Sequence, residues 1–394
     1  MTFLTLQILE EAACEGLENT ASLHMDAECQ TQILEAVCEG TENATVLHMD
    51  AESQTQALHF ESKEVQTNFA SAVAHPLKHC ESSSHHSRGS NFSYETLSKD
   101  SDMFHFYAGI TVPQFEHLYT FICDDVKQLN YWCGNKKTER GLYSKVKLSS
   151  KDQLLLTLTR LHQAFPSKDL AYRFELSEST TSKIINTWIQ FLYEKTAVLR
   201  KRMFPTRQMI KQNLPSCFSS FKNVRVIIDC FEIFVQQSRN FHEQGNLYSN
   251  YKNSSTFKVL VGIAPCGAIT FVSNAYEGSI SDKDLFVRSG LLNLLDPGDL
   301  VIADRGFDIL DILQAHGIQL NIPPFLNKRE KLTSQEEMTT KRIARARIHV
   351  ERAIERMKKF KIIGHKLPLS MRPVISQIVS IIGFFVNYQG PLVN

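Results

Sequence analysis

No two of the nine cysteines, at 14, 29, 38, 80, 123, 133, 217, 230 and 266, stand in a CxxC pair. That missing spacing, together with the odd count, argues against the disulfide framework of a secreted domain. The opening segment MTFLTLQILEEAACEG has no basic stretch ahead of its apolar residues and turns acidic at Glu10, so it does not read as a signal peptide. No apolar run approaches the ~20 residues needed to cross a bilayer. The expectation from these absences is a soluble, intracellular protein. Aromatic residues are also absent between Phe3 and Phe60, which leaves that stretch nothing large to bury.

What is present is unevenly distributed. The formal net charge is only +1, yet residues 1–100 hold 16 Asp/Glu against 4 Lys/Arg, a balance of −12, and the remainder is +13. A basic body behind an acidic tail suggests a polyanionic partner, nucleic acid first; the plain alternative is a solubilising tail. The tail is a duplication: ILEEAACEGLENTASLHMDAECQTQ (8–32) recurs as ILEAVCEGTENATVLHMDAESQTQ (33–56). Two copies are too few for a solenoid, so residues 1–60 read as disordered or loosely helical. Residues 61–102, with their Ser, His and Asn clusters, read as linker. The pair His85–His86 there suits a solvated loop better than a metal site.

From Phe104 the sequence acquires helical periodicity. A lead-in over 103–147 places Phe115, Leu118, Tyr119 and Ile122 on one face. A first helix over 148–163 opens at Ser149 or Ser150, and a short second helix over 166–176 starts at Pro166 and Ser167. A third, 177–196, is capped by Ser177 and has Ile184, Ile185, Trp188, Ile189 and Leu192 on its core face. Short helix, tight turn, then a helix opening with small hydroxyl residues is helix-turn-helix grammar, in which the last helix enters the major groove. Thr180, Thr181, Lys183 and Asn186 would be its exposed readers. A plain three-helix bundle fits the same pattern. The surroundings favour DNA: residues 144–215 carry 13 Lys/Arg against 5 Asp/Glu, with RKR at 200–202 in a basic connector, 198–222.

The C-terminal part, 223–390, alternates strands and helices. Strands are expected at 224–235, 257–267, 268–278, 300–304 and 318–326, and helices at 281–295, 308–317 and 334–360. The order βββ-α-β-α-β-α matches an α/β, ribonuclease H-like fold: a mixed five-stranded sheet flanked by helices, preceded by the all-α helix-turn-helix domain and the acidic tail. That fold sets the ends of the first and fourth strands side by side, so Asp229 and Asp304 would meet. Glu351 on the last helix offers a third acid. Three carboxylates converging in a half-buried pocket repel one another, and hard divalent cations relieve the repulsion. Two such ions can clamp the attacking and leaving oxygens of a phosphodiester. One would be held by Asp229 and Asp304, the other by Asp229 and Glu351. Singly, each acid has a structural reading: Asp304 as a partner of adjacent Arg305, Glu351 as a surface ion pair with Arg347. Glu232 should face away from Asp229, Cys230 should be a buried thiol, and Asp282 and Asp284 suit the first turn of a helix. Lys252, Lys258, Arg305, Arg352 and Lys358 are candidates for phosphate contact.

The segments IIDCFEIF, YSNYKNSSTFKVLVGIAPCGAITFVSNAYEGSISDKD, DLVIADRGFDI, LNIPPFL and IARARIHVERAIERMKKF together resemble the catalytic domain of PIF/Harbinger-type transposases. The likeness covers about residues 148–390. It implies an Asp–Asp–Glu enzyme that cuts DNA at terminal inverted repeats and joins the freed 3′-OH to target DNA, using Mg²⁺ or Mn²⁺, with the triad on Asp229, Asp304 and Glu351. It further implies double-stranded DNA as partner, a homo-oligomer, a separate Myb-like DNA-binding protein, and a place in the nucleus as well as the cytoplasm. Many relatives carry an N-terminal zinc finger, and the cysteines before residue 148 lack its spacing. Glu175 stands where a turn Gly is usual, and Thr181 where an apolar residue is usual. The alternative function is a domesticated DNA-binding or scaffold protein that keeps the fold without cutting.

Overall fold

The structure, a computed structural model, describes residues 92–126, 129, 148–324, 333–389 and 392. The acidic duplication, the linker through residue 91 with His85 and His86, and most of 127–147 lie outside the described residues.

Short helices α1 (Tyr94–Leu97), α2 (Ser101–Ala108) and α3 (Val112–Val126) lead into the trihelical unit α4 (Ser150–Gln163), α5 (Ser167–Arg173) and α6 (Glu178–Lys195). Ser149 and Ser177 cap α4 and α6, accepting hydrogen bonds from the amides of Asp152 and Thr180 at 3.1 Å each. Each cap satisfies one amide that the first helical turn leaves without a partner. The turn after α5 runs through Glu175 at φ 52°, the left-handed conformation that glycine adopts without penalty. Every residue from Gln153 to Leu161 of α4 is buried. A helix buried all round needs cover on every side, and α4 is packed by α2, α6 and the later helix α13.

Two connector helices, α7 (Ala197–Arg202) and α8 (Arg207–Gln212), lead to the long strand β1 (Val224–Phe234). Helix α9 (Phe241–Leu247) and β2 (Tyr248–Ser249) precede β3 (Ser254–Ile263), β4 (Ile269–Val272) and β5 (Tyr276–Glu277). Helix α10 (Asp282–Ser289), β6 (Leu300–Ile302), α11 (Leu310–Ala315) and β7 (Gln319–Asn321) follow. The chain then forms α12 (Ser334–Lys358), α13 (Lys361–Gly364) and α14 (Ile375–Val386).

The sheet spine runs β4-β3-β1-β6-β7. β3 is antiparallel to β1 and β4, and β6 is parallel to β1 and β7. The five strands expected become seven, because the stretch read as one strand over 268–278 is two. β1 occupies one edge of β3 over residues 256–263; β4 and β5 share the other, against 261–263 and 257–258. Between them Ser273 closes the gap, its amide donating to Leu260 O and its hydroxyl accepting from Leu260 N, each at 2.9 Å. β2 adds the seventh strand, against Ser254 and Ser255.

Two apolar cores flank the sheet. Val226, Ile228, Val301 and Ala303 pack with Leu285, Phe286 and Leu313 of α10 and α11. Ile227, Phe231, Ile233 and Ile302 face the other way, against Ala346, Val350 and Ala353 of α12 and the apolar α14. That second core is continuous with the trihelical unit, since α6 packs on α14. The segment Leu369–Val386 is long and apolar enough by composition to cross a membrane, contrary to the expectation from sequence, but 67% of it is buried inside the protein. Its apolarity is that of a core helix.

Candidate active site

The parallel register of β1 and β6 builds the site. Ile227 pairs with Ile302, so Asp229, still within β1, and Asp304, two residues past the end of β6, are carried to the same level. Side chains alternate faces along a strand, which puts both on the side of Ile227 and Ile302, the side covered by α12. On α12 the buried stripe runs through Ile343, Ala346, Val350, Ala353 and Met357, and Arg347, Glu351 and Lys358 lie along one flank of it. Thr333 and Glu336 form a reciprocal capping box that fixes where this helix starts.

Arg347 joins the acids. Its Nη1 lies 3.0 Å from Asp304 Oδ1 and its Nη2 3.5 Å from Glu351 Oε1. Asp304 also accepts the Arg305 amide at 2.7 Å, and Asp229 accepts the amide of Cys230 at 2.8 Å. Asp229 is half-buried. Burial pushes its carboxyl up to about 6, with the charges of Asp304 and Glu351 adding to the rise and Arg347 and the Cys230 amide opposing it. All three acids therefore share one electrostatic neighbourhood.

The neighbouring residues sort as follows. Glu232 is buried and accepts the Thr256 hydroxyl at 2.6 Å. Cys230 lies on the α10 side, its thiol pushed well above the ordinary range by burial. Asp282 caps nothing itself; Ser281 does, accepting the Asp284 amide at 3.0 Å. Asp282 pairs with Lys258 at 2.7 Å and approaches Gly306, where an added Cβ would stand 3.2 Å from its Oδ2. The space at Gly306 thus admits Asp282 beside the loop that follows Asp304.

Of the expected DNA contacts, Lys183, Lys252 and Arg352 are exposed, and Thr180 and Asn186 are partly so. Thr181 does not fit the reader's role: it is fully buried, and its hydroxyl donates to Ser177 O at 3.1 Å. Its position on α6 points into the core, so a threonine stands at an apolar site and satisfies its hydroxyl locally. Lys258 is taken by Asp282 and by Ile280 O at 3.2 Å. Arg305 sends its side chain to Pro324 O at 2.9 Å, and the arginine that pairs with Asp304 at 3.0 Å is Arg347. In sequence, Arg347 is recognisable only as an i, i+4 partner of Glu351; its contact with Asp304 comes from the fold.

Three carboxylates with a half-buried, poorly compensated member are hard oxygen donors, chemistry that suits a divalent cation. The guanidinium already supplies positive charge between two of them. Among the described residues, no three His, Cys, Asp or Glu side chains are gathered closely enough to share an ion as they stand.

A sheet that brings two acids together beside a third from a covering helix, behind a trihelical unit with a basic connector, has the layout of a DNA-directed nuclease. Residues 228–387 match the family model described as DDE superfamily endonuclease, and residues 146–197 match the one described as helix-turn-helix of DDE superfamily endonuclease. The chain carries a DDE superfamily endonuclease domain, which implies a ribonuclease H-like fold, with its helix-turn-helix ahead of it. No curated protein and no solved structure matches the chain.

Proposed function

We propose that the protein is a DNA transposase of the PIF/Harbinger type, which cuts at terminal inverted repeats and joins the freed 3′-OH to target DNA. The observation that carries this reading is the meeting of Asp229 from β1, Asp304 from the turn just after β6, and Glu351 from α12 in one electrostatic neighbourhood. Those three residues would hold the divalent cations, Mg²⁺ or Mn²⁺, whose chemistry is to activate water or a 3′-OH and to stabilise the leaving oxygen. The chain's own part is positioning. β1 and β6 fix two carboxylates at one level, and α12 adds the third. The exposed start of α6, with Thr180, Lys183 and Asn186, faces DNA, and Lys252 and Arg352 bind phosphates. Work as a homo-oligomer, with a separate Myb-like DNA-binding protein and in the nucleus, belongs to the same proposal.

The test is a nicking and joining assay with purified protein, Mg²⁺ and labelled element ends, run beside Glu351→Gln. Losing one acid of a set that acts together should lower the rate by about 10³-fold or more. Equal behaviour of wild type and variant defeats the enzyme reading. Specific DNA binding by a wild type that never cuts points to a non-cleaving DNA-binding protein.

A further inference from the structure

We propose that Arg347 is the resident counter-ion of the acid site, and that a divalent cation binds there only by displacing its guanidinium. The inference rests on the nuclease reading and adds a residue that controls how the site is loaded. Among the described residues, Arg347 is the side chain that ion-pairs with two of the three acids, at 3.0 Å to Asp304 and 3.5 Å to Glu351. Its side chain is 15% exposed, against 48% and 55% for those carboxylates. The cation therefore sits deeper than the acids it serves, behind them rather than out in solvent.

Its own bonding is incomplete, because Nε is buried without a hydrogen-bond partner. A guanidinium offers five donors in a fixed fork, and here only the two terminal nitrogens meet carboxylates. Such a group is held by charge more than by a complete hydrogen-bond set, which makes it exchangeable for a stronger positive charge. Two other cations nearby have their own contacts: Lys258 is bound to Asp282, and Lys358 lies over the ring of Phe231. The same bridge explains why the three acids do not stand as a ready ligand set: two of them are turned onto Arg347.

The test is Mn²⁺ binding to the full chain, followed by calorimetry and by the loss of the free-ion paramagnetic resonance signal, for wild type, Arg347→Gln and Arg347→Lys. Removing a competing unit charge in a partly desolvated site should tighten Mn²⁺ binding by about tenfold or more in Arg347→Gln. Arg347→Lys, which keeps the charge but cannot bridge two carboxylates with one fork, should fall between. A residue that merely shaped the fold would leave the affinity unchanged or weaken it. Equal or weaker binding by the folded Arg347→Gln protein, checked by far-ultraviolet circular dichroism, overturns the inference and leaves the nuclease reading intact. Should Arg347→Gln fail to fold, the Arg347→Lys affinity decides, and no gain over wild type overturns the proposal. If neither wild type nor either variant binds Mn²⁺ at millimolar concentration, the metal-dependent reading fails as well.

Discussion

At the scale of single residues, the site keeps charge where a stable core would not. Asp229 follows the fully buried Val226, Ile227 and Ile228, and burial pushes its carboxyl up to about 6. A carboxyl whose folded-state value is raised contributes favourably below its unfolded value of about 4. That contribution is lost as pH rises through about 6. In metal-free protein, Asp229→Asn should therefore be no more stable than wild type near pH 4 and more stable by about 2 kcal/mol at pH 7. Thermal melts of both proteins across that range check the sign. The same variant should lose cleavage, a trade of activity for stability. Asp299, at the other end of β6, shows the contrasting arrangement. It is almost wholly buried, yet Arg207 and Arg225 pair with it at 2.7 and 3.3 Å and tie the connector to the sheet.

At the scale of elements, local chemistry accounts for most boundaries. Ser149, Ser177, Ser281 and Thr333 each cap the helix that follows. The turns on either side of α5 are exceptions, because Ala164 at φ 58° and Glu175 at φ 52° carry side chains in a left-handed conformation that costs steric strain. The Glu175 side chain is exposed, so Glu175→Gly should stabilise the protein by about 0.5–1 kcal/mol, read as a higher urea midpoint at unchanged slope. Elements were harder to read where packing decided them. β6 ends at Ile302, not Asp304, because Phe307 N already turns back to Asp304 O at 3.1 Å. The helix expected over 281–295 breaks at Gly290, φ 81°, and continues as a 3₁₀ turn. Helix α14 leaves little periodic signal in the sequence, because an apolar run buried nearly all round has no polar face.

At the scale of the whole molecule, the trihelical unit and the nuclease sheet share a core. Helix α4 is buried on all sides and needs α2 and α13, and α6 leans on α14. A domain boundary at residue 197 is therefore a boundary of sequence pattern more than of packing. A peptide of residues 148–197 should show little helix by circular dichroism, whereas residues 92–394 should melt in one cooperative transition. An independently folded, fully helical peptide would contradict this. The coupling also bears on the proposed function, because α6, the helix proposed to face DNA, is seated on the same core as α12, which carries Glu351.

The sequence by itself determined the alternation of strands and helices, the helix caps and the basic body, and it put forward the three acids as candidates. Those features depend on residues near one another along the chain, where periodicity, turn chemistry and charge are visible. Tertiary structure decided the rest: that Thr181 is buried, that Lys258 belongs to Asp282, that Arg305 turns to Pro324, and that Arg347 holds Asp304 and Glu351 together. Each of these depends on which distant surface a side chain meets. A charge is named by its residue, but its partner is chosen only when strands 75 residues apart in sequence, at Asp229 and Asp304, come to lie under one helix.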